Sequence, residues 1–465
     1  MKNTRLVFEN RVNGHLIPNA MPTYLKKRLT EHAIKHDNVE GFREIFESEF
    51  GQPTFPYAAT WDIGWITNEV DLLSDLSSAS DDYITSNQVY YLFYIGTAGN
   101  IEFGLNPSDT DSDSDIIKTS YFENLSSTVI DYTKTKNNFF IYISNLQEGI
   151  SYNIVDEIYK QATKLNIPLN KIVLQSDSAD FQEIKNKLEK EYKTNIDLKY
   201  IMYSWALPLS AEYIQQLQEK NNIFTNFKTN RKNKVVCLNR RLKDYRLTTI
   251  SFLLGMGYEN MYLSYDIDWC DDVSKYYNFL TLNSYEKEFK DTLNKGFEIF
   301  KATKKRKADD IDDAFDKVYF DDAKMYEDSY FSIVTESEWY AKQRITEKIT
   351  KAFINHHPFV VVGPYKTLEL LKFYGFKTFS EFWNEDYDNI KNPQDRFLAI
   401  TKVIDKLMNL STEEWDILTK KIQPILIHNR KCLENFKQTK VRDKFLQNIL
   451  SLLENKLTNS YYSIL

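Results

Sequence analysis

The chain has 465 residues, which is more than one ordinary hydrophobic core organises, so we expect two domains. Its net charge of −7 excludes a global basic field for nucleic acid, although a local basic groove is still allowed. The sequence contains no run of about 18 apolar residues, so we expect no membrane span, and its first residues lack the apolar region of a signal peptide. The three cysteines are widely spaced, which favours a reducing compartment.

The first half of the chain alternates predicted strands with predicted helices. A helix is expected over Pro22–Phe50. Apolar runs then predict strands at Gln88–Gly96, Phe139–Ser144, Lys171–Asp177 and Leu198–Tyr203, with helices at Tyr152–Leu165 and Asp180–Tyr192. Strands that alternate with helices of 10 to 15 residues are typical of an α/β protein with a parallel sheet.

A polar stretch, Lys220–Lys234, interrupts this pattern, and a second α/β series follows it. Strands are predicted at Val235–Asn239, Met261–Tyr265, Tyr330–Val334 and Pro358–Val362, and helices at Asp244–Met256, from Thr346, at Thr367–Gly375 and from Pro393. The charged residues 285–328 are interpreted as a helical, solvated insertion. The sequence thus predicts a Rossmann-like N-terminal domain (1–228), a Rossmann-like C-terminal domain (229–440) and a C-terminal helix (441–465).

The strand–helix–strand unit over 330–363 carries the strongest functional signal. Its candidate ligand-binding residues are Glu336, Thr346, Glu347, Lys348 and Gly363. Glu347 and Lys348 share the first turn of the helix, where the dipole favours the carboxylate but not the ammonium. A ligand with both ribose hydroxyls and phosphates would account for this pair, because the carboxylate accepts from hydroxyls and the ammonium binds a diphosphate. A surface helix with a capping threonine and an incidental ion pair is the alternative.

Asn239 and Arg240 follow the strand Val235–Asn239 at a predicted strand-to-helix turn. An arginine binds phosphate through two parallel hydrogen bonds, so this turn is a second candidate phosphate contact, with a solvated loop as the alternative. The acidic run Asp109–Asp115 begins like a calcium loop but lacks the glycine and the glutamate that such a loop needs. We therefore expect no metal site.

The segment TEKITKAFINHHPFVVVG, Thr346–Gly363, resembles the donor-binding motif of GT-B glycosyltransferases, especially the fucosyltransferase-like branch. A wider pattern resembles a group of phage and large-virus proteins; its parts include VVCLNRRLKDYRL, LKFYGFKTFSEFWNEDYD and ILIHNR. The resemblance covers most of 234–430. It implies two Rossmann-like domains facing a cleft, with Glu347 at the ribose and with Lys348 and Arg240 near the donor diphosphate.

The resemblance also implies a nucleotide-sugar donor, no bound cofactor or metal, and a base contributed by the N-terminal domain. Asp62 and Asp177 lie near predicted strand ends or aromatic loops and are the candidates for that base. Retaining GT-B enzymes often carry two glutamates seven residues apart. Here eight residues separate Glu338 from Glu347 and ten separate Glu336 from Glu347, so the sugar-contacting glutamate and the stereochemical outcome stay open.

We therefore expect a nucleotide-sugar-dependent glycosyltransferase of phage or viral type that acts in the cytoplasm, in the host cytoplasm if viral. The acceptor is a modified DNA base, a glycan or a protein; Lys228–Lys234 and Lys304–Lys307 offer local contacts to DNA phosphates, or are solvated charge. The alternative is a non-catalytic structural or host-interaction protein that retains the GT-B shape. A nucleotide-sugar epimerase is disfavoured because GxGxxG is missing. The oligomeric state stays open.

Overall fold

The structure is a computed structural model. It describes residues 122–202 and 227–436 except the gaps 123–124, 146–149, 151, 177–178, 240–241, 268–284, 307–322, 337–338 and 340–343, together with four strands and six single residues elsewhere. The helix predicted over Pro22–Phe50 lies outside the described residues. The chain divides into two compact units, one formed by 1–205 with 438–465 and one by 206–437.

The first unit is built on a seven-stranded sheet in which every strand pair is parallel. Its strands are β1 (Thr4–Phe8), β2 (Ser74–Asp75), β3 (Gln88–Tyr94), β4 (Phe139–Asn145), β5 (Ile172–Ser176), β6 (Lys199–Met202) and a last strand, Tyr461–Ser463. Its helices are α1 (Ser127–Thr135), α2 (Tyr152–Lys164) and α3 (Phe181–Tyr192). The spatial order 2-1-3-4-5-6, with the last strand beyond β6, is a doubly wound order.

The strands of this unit have continuous apolar sequences because they are buried. Every residue of β5 is buried, as expected for a parallel sheet covered on both faces. From α3, Phe181, Ile184 and Leu188 are buried at helical spacing, and the Phe181 ring stacks on Tyr200 of β6 at 4.2 Å. The helix therefore packs on the sheet through one apolar stripe.

The second unit contains a five-stranded sheet. Its strands are β7 (Asn233–Leu238), β8 (Met261–Asp266), β9 (Lys305–Arg306), β10 (Ser329–Thr335) and β11 (Phe359–Val362). Its helices are α4 (Asp244–Met256), α5 (Lys287–Thr303), α6 (Ala323–Glu327), α7 (Glu347–Ile354), α8 (Thr367–Phe373), α9 (Pro393–Met408) and α10 (Thr412–Glu434).

The strand order of this sheet is β11-β10-β7-β8-β9, with only the short β9 antiparallel to its neighbour. Numbered along the chain from β7 as strand 1 and listed from the β9 edge, this is the Rossmann order 3-2-1-4-5. The chain moves from β7 to β8 on one side and returns to β10 on the other, so the order reverses between β7 and β10. In open α/β sheets, ligands bind outside the carboxyl ends of the strands at this switch point. The α/β class with two Rossmann-like units, predicted from the sequence, is confirmed.

The two compact units divide the chain between Trp205 and Ala206, whereas the sequence placed the boundary at 228. Buried contacts explain the difference, since Ser210 Oγ donates to Thr350 Oγ1 of α7 at 2.7 Å. The C-terminal segment differs as well, because Tyr461–Ser463 pairs with β6 as a strand where a helix was expected. Aromatic residues favour strands, which is consistent with that pairing.

The charged region 285–328 contains a packed helix rather than only solvated surface. Leu293, Phe297 and Phe300 of α5 are buried at helical spacing. A Cβ added at Gly296 would lie 1.7 Å from Ser251 O of α4, which shows how closely the two helices approach. The charge-rich composition concealed an apolar stripe that covers α4.

His357 is a structural residue of this unit. Its ring nitrogens contact Ser332 Oγ at 2.6 Å and Ser329 O at 2.8 Å. Burial, reinforced by the charge of Arg231, lowers the pKa of His357 to about 3, so the ring is neutral at physiological pH.

Within the part of the chain that the structure describes, no helix has the length and apolarity needed to cross a membrane.

Candidate functional site

Polar residues meet at the carboxyl ends of β7, β10 and β11. Thr335 Oγ1 donates to Asn239 Oδ1 at 2.8 Å and so joins β10 to β7 at the point where the strand order reverses. The Glu336 N–H donates to Val362 O at 2.9 Å and joins β10 to β11. Two of the predicted site residues, Asn239 and Glu336, thus lie at the ends of adjacent strands.

Thr346 connects this edge to the start of α7. It is the N-cap residue, and its Oγ1 accepts from the Lys348 N–H at 3.3 Å. The same hydroxyl donates to Glu336 Oε2. One side chain therefore caps the helix and holds the carboxylate.

Glu336 is the most deeply buried carboxylate at this edge, with 1% of its surface exposed. Its Oε1 is buried and has no hydrogen-bond partner among the described residues. Burial raises the pKa of Glu336, and the Lys348 ammonium and the Thr346 hydroxyl oppose part of that rise. A buried acceptor without a donor costs about 1–3 kcal/mol, so Oε1 is a point where a ligand hydroxyl would be favourable.

Gly363 follows β11 and lies against Glu336. A Cβ added there would be 3.2 Å from both Cβ and Cγ of Glu336 and 3.1 Å from Val361 Cγ1. These separations are shorter than ordinary carbon–carbon contacts, so a larger residue would push on the carboxylate side chain. The glycine therefore leaves the space that Glu336 fills.

Glu347 and Lys348 form an ion pair in the first turn of α7. Lys348 Nζ lies 2.6 Å from Glu347 Oε1, and the two side chains are 27% and 15% exposed, respectively. Burial alone would raise the pKa of Glu347, but the Lys348 ammonium and its hydrogen bond, with the charge of Lys351, lower it to about 2. The two carboxyl groups, Glu336 and Glu347, are thus displaced in opposite directions, an arrangement found where carboxyl groups take different chemical roles.

Three buried residues of this region, Tyr245, Arg246 and Arg344, were not predicted as site residues from the sequence. Arg246, interpreted from the sequence as a helix residue that could be exposed, is 4% exposed, and it donates with Tyr245 to the backbone carbonyl of Glu336. Arg344 is also buried, and its charge is one of the influences that lower the pKa of Glu336 against the larger effect of burial. A signal was present, because α4 is apolar around most of its circumference, which is typical of a buried helix.

The acidic loop Phe382–Asp388 has a structural role at the neighbouring helix. The Asp388 carboxylate accepts from the N–H groups of Leu368 at 2.9 Å and Glu369 at 3.0 Å, and so occupies the N-terminus of α8. Glu385 Oε1 accepts from the Phe379 N–H at 2.8 Å. The N-terminus of α8 is therefore already occupied by a carboxylate of the protein itself.

Four candidate residues lie outside the described residues: Asp62, Asp177, Arg240 and Glu338. Their roles stay predictions. Across the described ranges, no group of three or more His, Cys, Asp or Glu is placed to hold a metal ion.

The two strand orders define an α/β protein with two Rossmann-like units. No protein-family model and no curated protein matches the sequence. Among solved structures, the chain is similar to a UDP-forming α,α-trehalose-phosphate synthase from Burkholderia xenovorans, with 10% identity, 98% of this chain and 99% of that chain covered, and a TM-score of 0.41.

Two further solved structures are similar over nearly the whole chain. One is the N-terminal domain of trehalose-6-phosphate phosphatase from Candida albicans, with 10% identity, 97% of each chain covered and a TM-score of 0.41. The other is a glycosyltransferase from Rickettsia africae, with 12% identity, 98% of this chain and 99% of that chain covered, and a TM-score of 0.38. The strand orders of the two sheets define the fold class.

Proposed function

We propose that this protein is a GT-B-like glycosyltransferase that moves a sugar from a nucleotide-sugar donor to an acceptor hydroxyl. One observation carries the proposal. At the switch point of the second unit, the buried carboxylate of Glu336 presents an oxygen without a partner among the described residues, beside a helix whose first turn holds Glu347 and Lys348. Hydroxyl-binding and phosphate-binding groups are thus adjacent.

The nucleotide part of the donor is assigned to α7. Its Lys348 ammonium and the N–H groups of its first turn bind the diphosphate, because a helix N-terminus and a cation both favour a phosphate. Glu347, whose low pKa keeps it ionised, accepts from the ribose hydroxyls. Positive charge gathered on the diphosphate makes it a better leaving group, which is the electrostatic part of catalysis.

The sugar part of the donor is assigned to the strand ends. Glu336 Oε1 accepts a hydrogen bond from a sugar hydroxyl, Gly363 leaves room for the Glu336 side chain, and Asn239 keeps the neighbouring strand end in place. Arg240 is proposed as a second phosphate contact. No step requires a metal, because Lys348 and the helix start carry the electrostatic role.

The acceptor is assigned to the first compact unit, 1–205 with 438–465, and the donor to the second, 206–437. Asp62 or Asp177 is proposed as the base that deprotonates the acceptor hydroxyl in an inverting reaction. A modified DNA base, a glycan and a protein are the three acceptor classes to test. The phage or viral type and the cytoplasmic location stay predictions.

A thermal-shift screen with UDP, GDP, dTDP, CMP and their sugars tests the donor site. We expect one nucleotide family to stabilise the wild-type protein, by about 2.7 kcal/mol at 100 times its dissociation constant. Glu347→Ala and Lys348→Ala should each remove the shift because they remove the ribose and diphosphate contacts. Lys366→Ala is the matched control, since Lys366 belongs to an exposed Lys–Glu pair of the same unit. A folded wild-type protein that responds to no nucleotide would overturn the proposal.

Gly363→Ala tests the sugar subsite separately. The added Cβ pushes on Glu336, so we expect the shift with a nucleotide sugar to fall to the shift with its nucleotide alone, with a loss of about 1–3 kcal/mol in the free energy of unfolding. Gly375→Ala is the control: its φ of +87° makes the variant strained, but the substitution lies away from Glu336. An unchanged preference for the nucleotide sugar in Gly363→Ala would rule out this assignment of Glu336.

A further inference from the structure

Two side chains of α4 converge on the backbone carbonyl oxygen of Glu336. The Tyr245 hydroxyl donates to it at 2.5 Å, and the Arg246 guanidinium donates through Nη2 at 2.8 Å and Nε at 3.2 Å. Arg246 Nη2 also donates to Thr335 O at 3.2 Å. A carbonyl oxygen has two lone pairs, so these donors saturate the end of β10.

Satisfying this carbonyl does not by itself require a buried arginine. A strand that has ended leaves a carbonyl without a ladder partner, and one neutral donor such as the Tyr245 hydroxyl is enough to satisfy it. Burying a guanidinium is costly unless its donors are used. Arg246 donates three hydrogen bonds to the carbonyl oxygens of Thr335 and Glu336, which lie on either side of the Glu336 α-carbon. The fork therefore fixes the orientation of the backbone at Glu336.

The side chain of Glu336 is fixed from the other directions as well. Its N–H is bound to Val362 O, its Cβ and Cγ lie against Gly363, and its Oε2 accepts from Thr346. Oε1 is the oxygen that these contacts leave for a ligand. With the backbone held by α4, the direction of Oε1 is determined by the whole arrangement.

We propose that Tyr245 and Arg246 are positioning residues, which hold the backbone of Glu336 so that its Oε1 faces the hydroxyl of the donor sugar. The identity of that ligand rests on the proposed function. The positioning itself rests on contacts within the protein. The positioning can therefore be tested without a nucleotide.

The first test needs no nucleotide. The full-length protein is labelled with ¹³C at the glutamate carboxyl carbon, the signal lost in Glu336→Gln identifies Glu336, and its titration is followed by NMR. Burial raises the pKa of Glu336 in the wild-type protein, so Tyr245→Phe and Arg246→Lys, which loosen its buried position, should shift the titration down toward ordinary glutamate values. Arg246→Lys keeps the positive charge. Loss of a charge would shift the titration upward instead, so the direction distinguishes positioning from a direct charge effect.

Tyr258→Phe is the matched control, because it removes the 2.5 Å hydrogen bond from a tyrosine hydroxyl to Asp405 just beyond the other end of α4. Circular dichroism checks that each variant folds. A Glu336 titration that is unchanged in both Tyr245→Phe and Arg246→Lys, or shifted upward in both, would overturn the inference. An equal shift of the Glu336 titration in Tyr258→Phe would also overturn the inference, because the shift would then come from a general loosening of the fold around α4.

The second test repeats the nucleotide screen on the same variants. Tyr245→Phe and Arg246→Lys should lose the extra stabilisation given by a nucleotide sugar over its nucleotide and keep the stabilisation given by the nucleotide. Full sugar-dependent stabilisation in both variants would count against the positioning role. If the wild-type protein responds to no nucleotide, the proposed function fails, while the NMR titration still decides whether α4 positions Glu336.

Discussion

Lys348→Met should destabilise the protein by about 2 kcal/mol at pH 7. The Lys348 ammonium and its hydrogen bond, with a smaller effect of the Lys351 charge, lower the pKa of Glu347 from 4.5 to about 2 against the effect of burial; at about 1.4 kcal/mol per pH unit, the whole displacement corresponds to about 3 kcal/mol. The 27% exposure of Lys348 reduces the expected value. Without the ammonium, Glu347 becomes a largely buried carboxylate without its ion-pair partner, which raises its pKa.

The pH dependence follows from the sign of this shift. A carboxyl whose folded pKa is lowered stabilises the protein above its unfolded pKa, and the stabilisation is lost as pH falls. The difference between wild-type and Lys348→Met should therefore be largest near pH 7 and shrink as the pH falls toward 2; because the variant raises the pKa of Glu347, the decrease begins at that raised pKa and not at 4.5. Urea denaturation followed across this range measures it.

The double variant Glu347→Gln, Lys348→Met provides the control for this prediction. It removes both charges, so it should recover much of the stability lost in the single variant. A difference between Lys348→Met and wild-type that does not change with pH would show that the lysine acts through packing rather than through Glu347.

Gly296→Ala should be among the most destabilising single-methyl changes in the second unit, with an expected loss of about 3 kcal/mol or more. The new Cβ would lie 1.7 Å from Ser251 O, and a Cβ at Gly255 on the facing helix would lie 2.0 Å from Thr292 O. Backbone atoms cannot move aside as a flexible side chain can, so α4 and α5 must separate. The higher helix propensity of alanine offsets only about 1 kcal/mol of this destabilisation.

Chemical denaturation of Gly296→Ala and of Lys295→Ala measures this effect. Lys295 is exposed on the same helix, so its replacement should leave the free energy of unfolding nearly unchanged. Wild-type stability in Gly296→Ala would mean that α4 and α5 do not approach as closely as described. Because α4 carries Tyr245 and Arg246, the same variant should also disturb Glu336.

Some features followed from local physics and could be read from the sequence. The runs that form β4, β5 and β10 are apolar over most of their length and β-branched or aromatic in part, as buried strands are. Thr346 caps α7, and Gly257 ends α4 at a φ of +73°, a conformation that glycine adopts without strain. Each of these signals lies within a few residues of the element that it defines.

Other features depended on residues far apart in the chain. Nothing near Arg246 in sequence indicates that it binds the carbonyl of Glu336, 90 positions away. The pairing of Thr335 with Asn239 and the capping of α8 by Asp388 likewise join separate segments. Such contacts depend on strand order, which local propensity does not encode.

The sequence by itself determined the helices and strands named above and the strand–helix–strand unit that contains Glu336, Thr346 and Glu347, because hydrophobic periodicity and helix capping act over a few residues. Only the tertiary structure decided that Glu336 is buried with one oxygen lacking a partner in the described chain, that α4 holds its backbone, and that α5 packs on α4 through Gly296. The physical reason is that burial and long-range hydrogen bonds arise from the packing of elements that are distant along the chain.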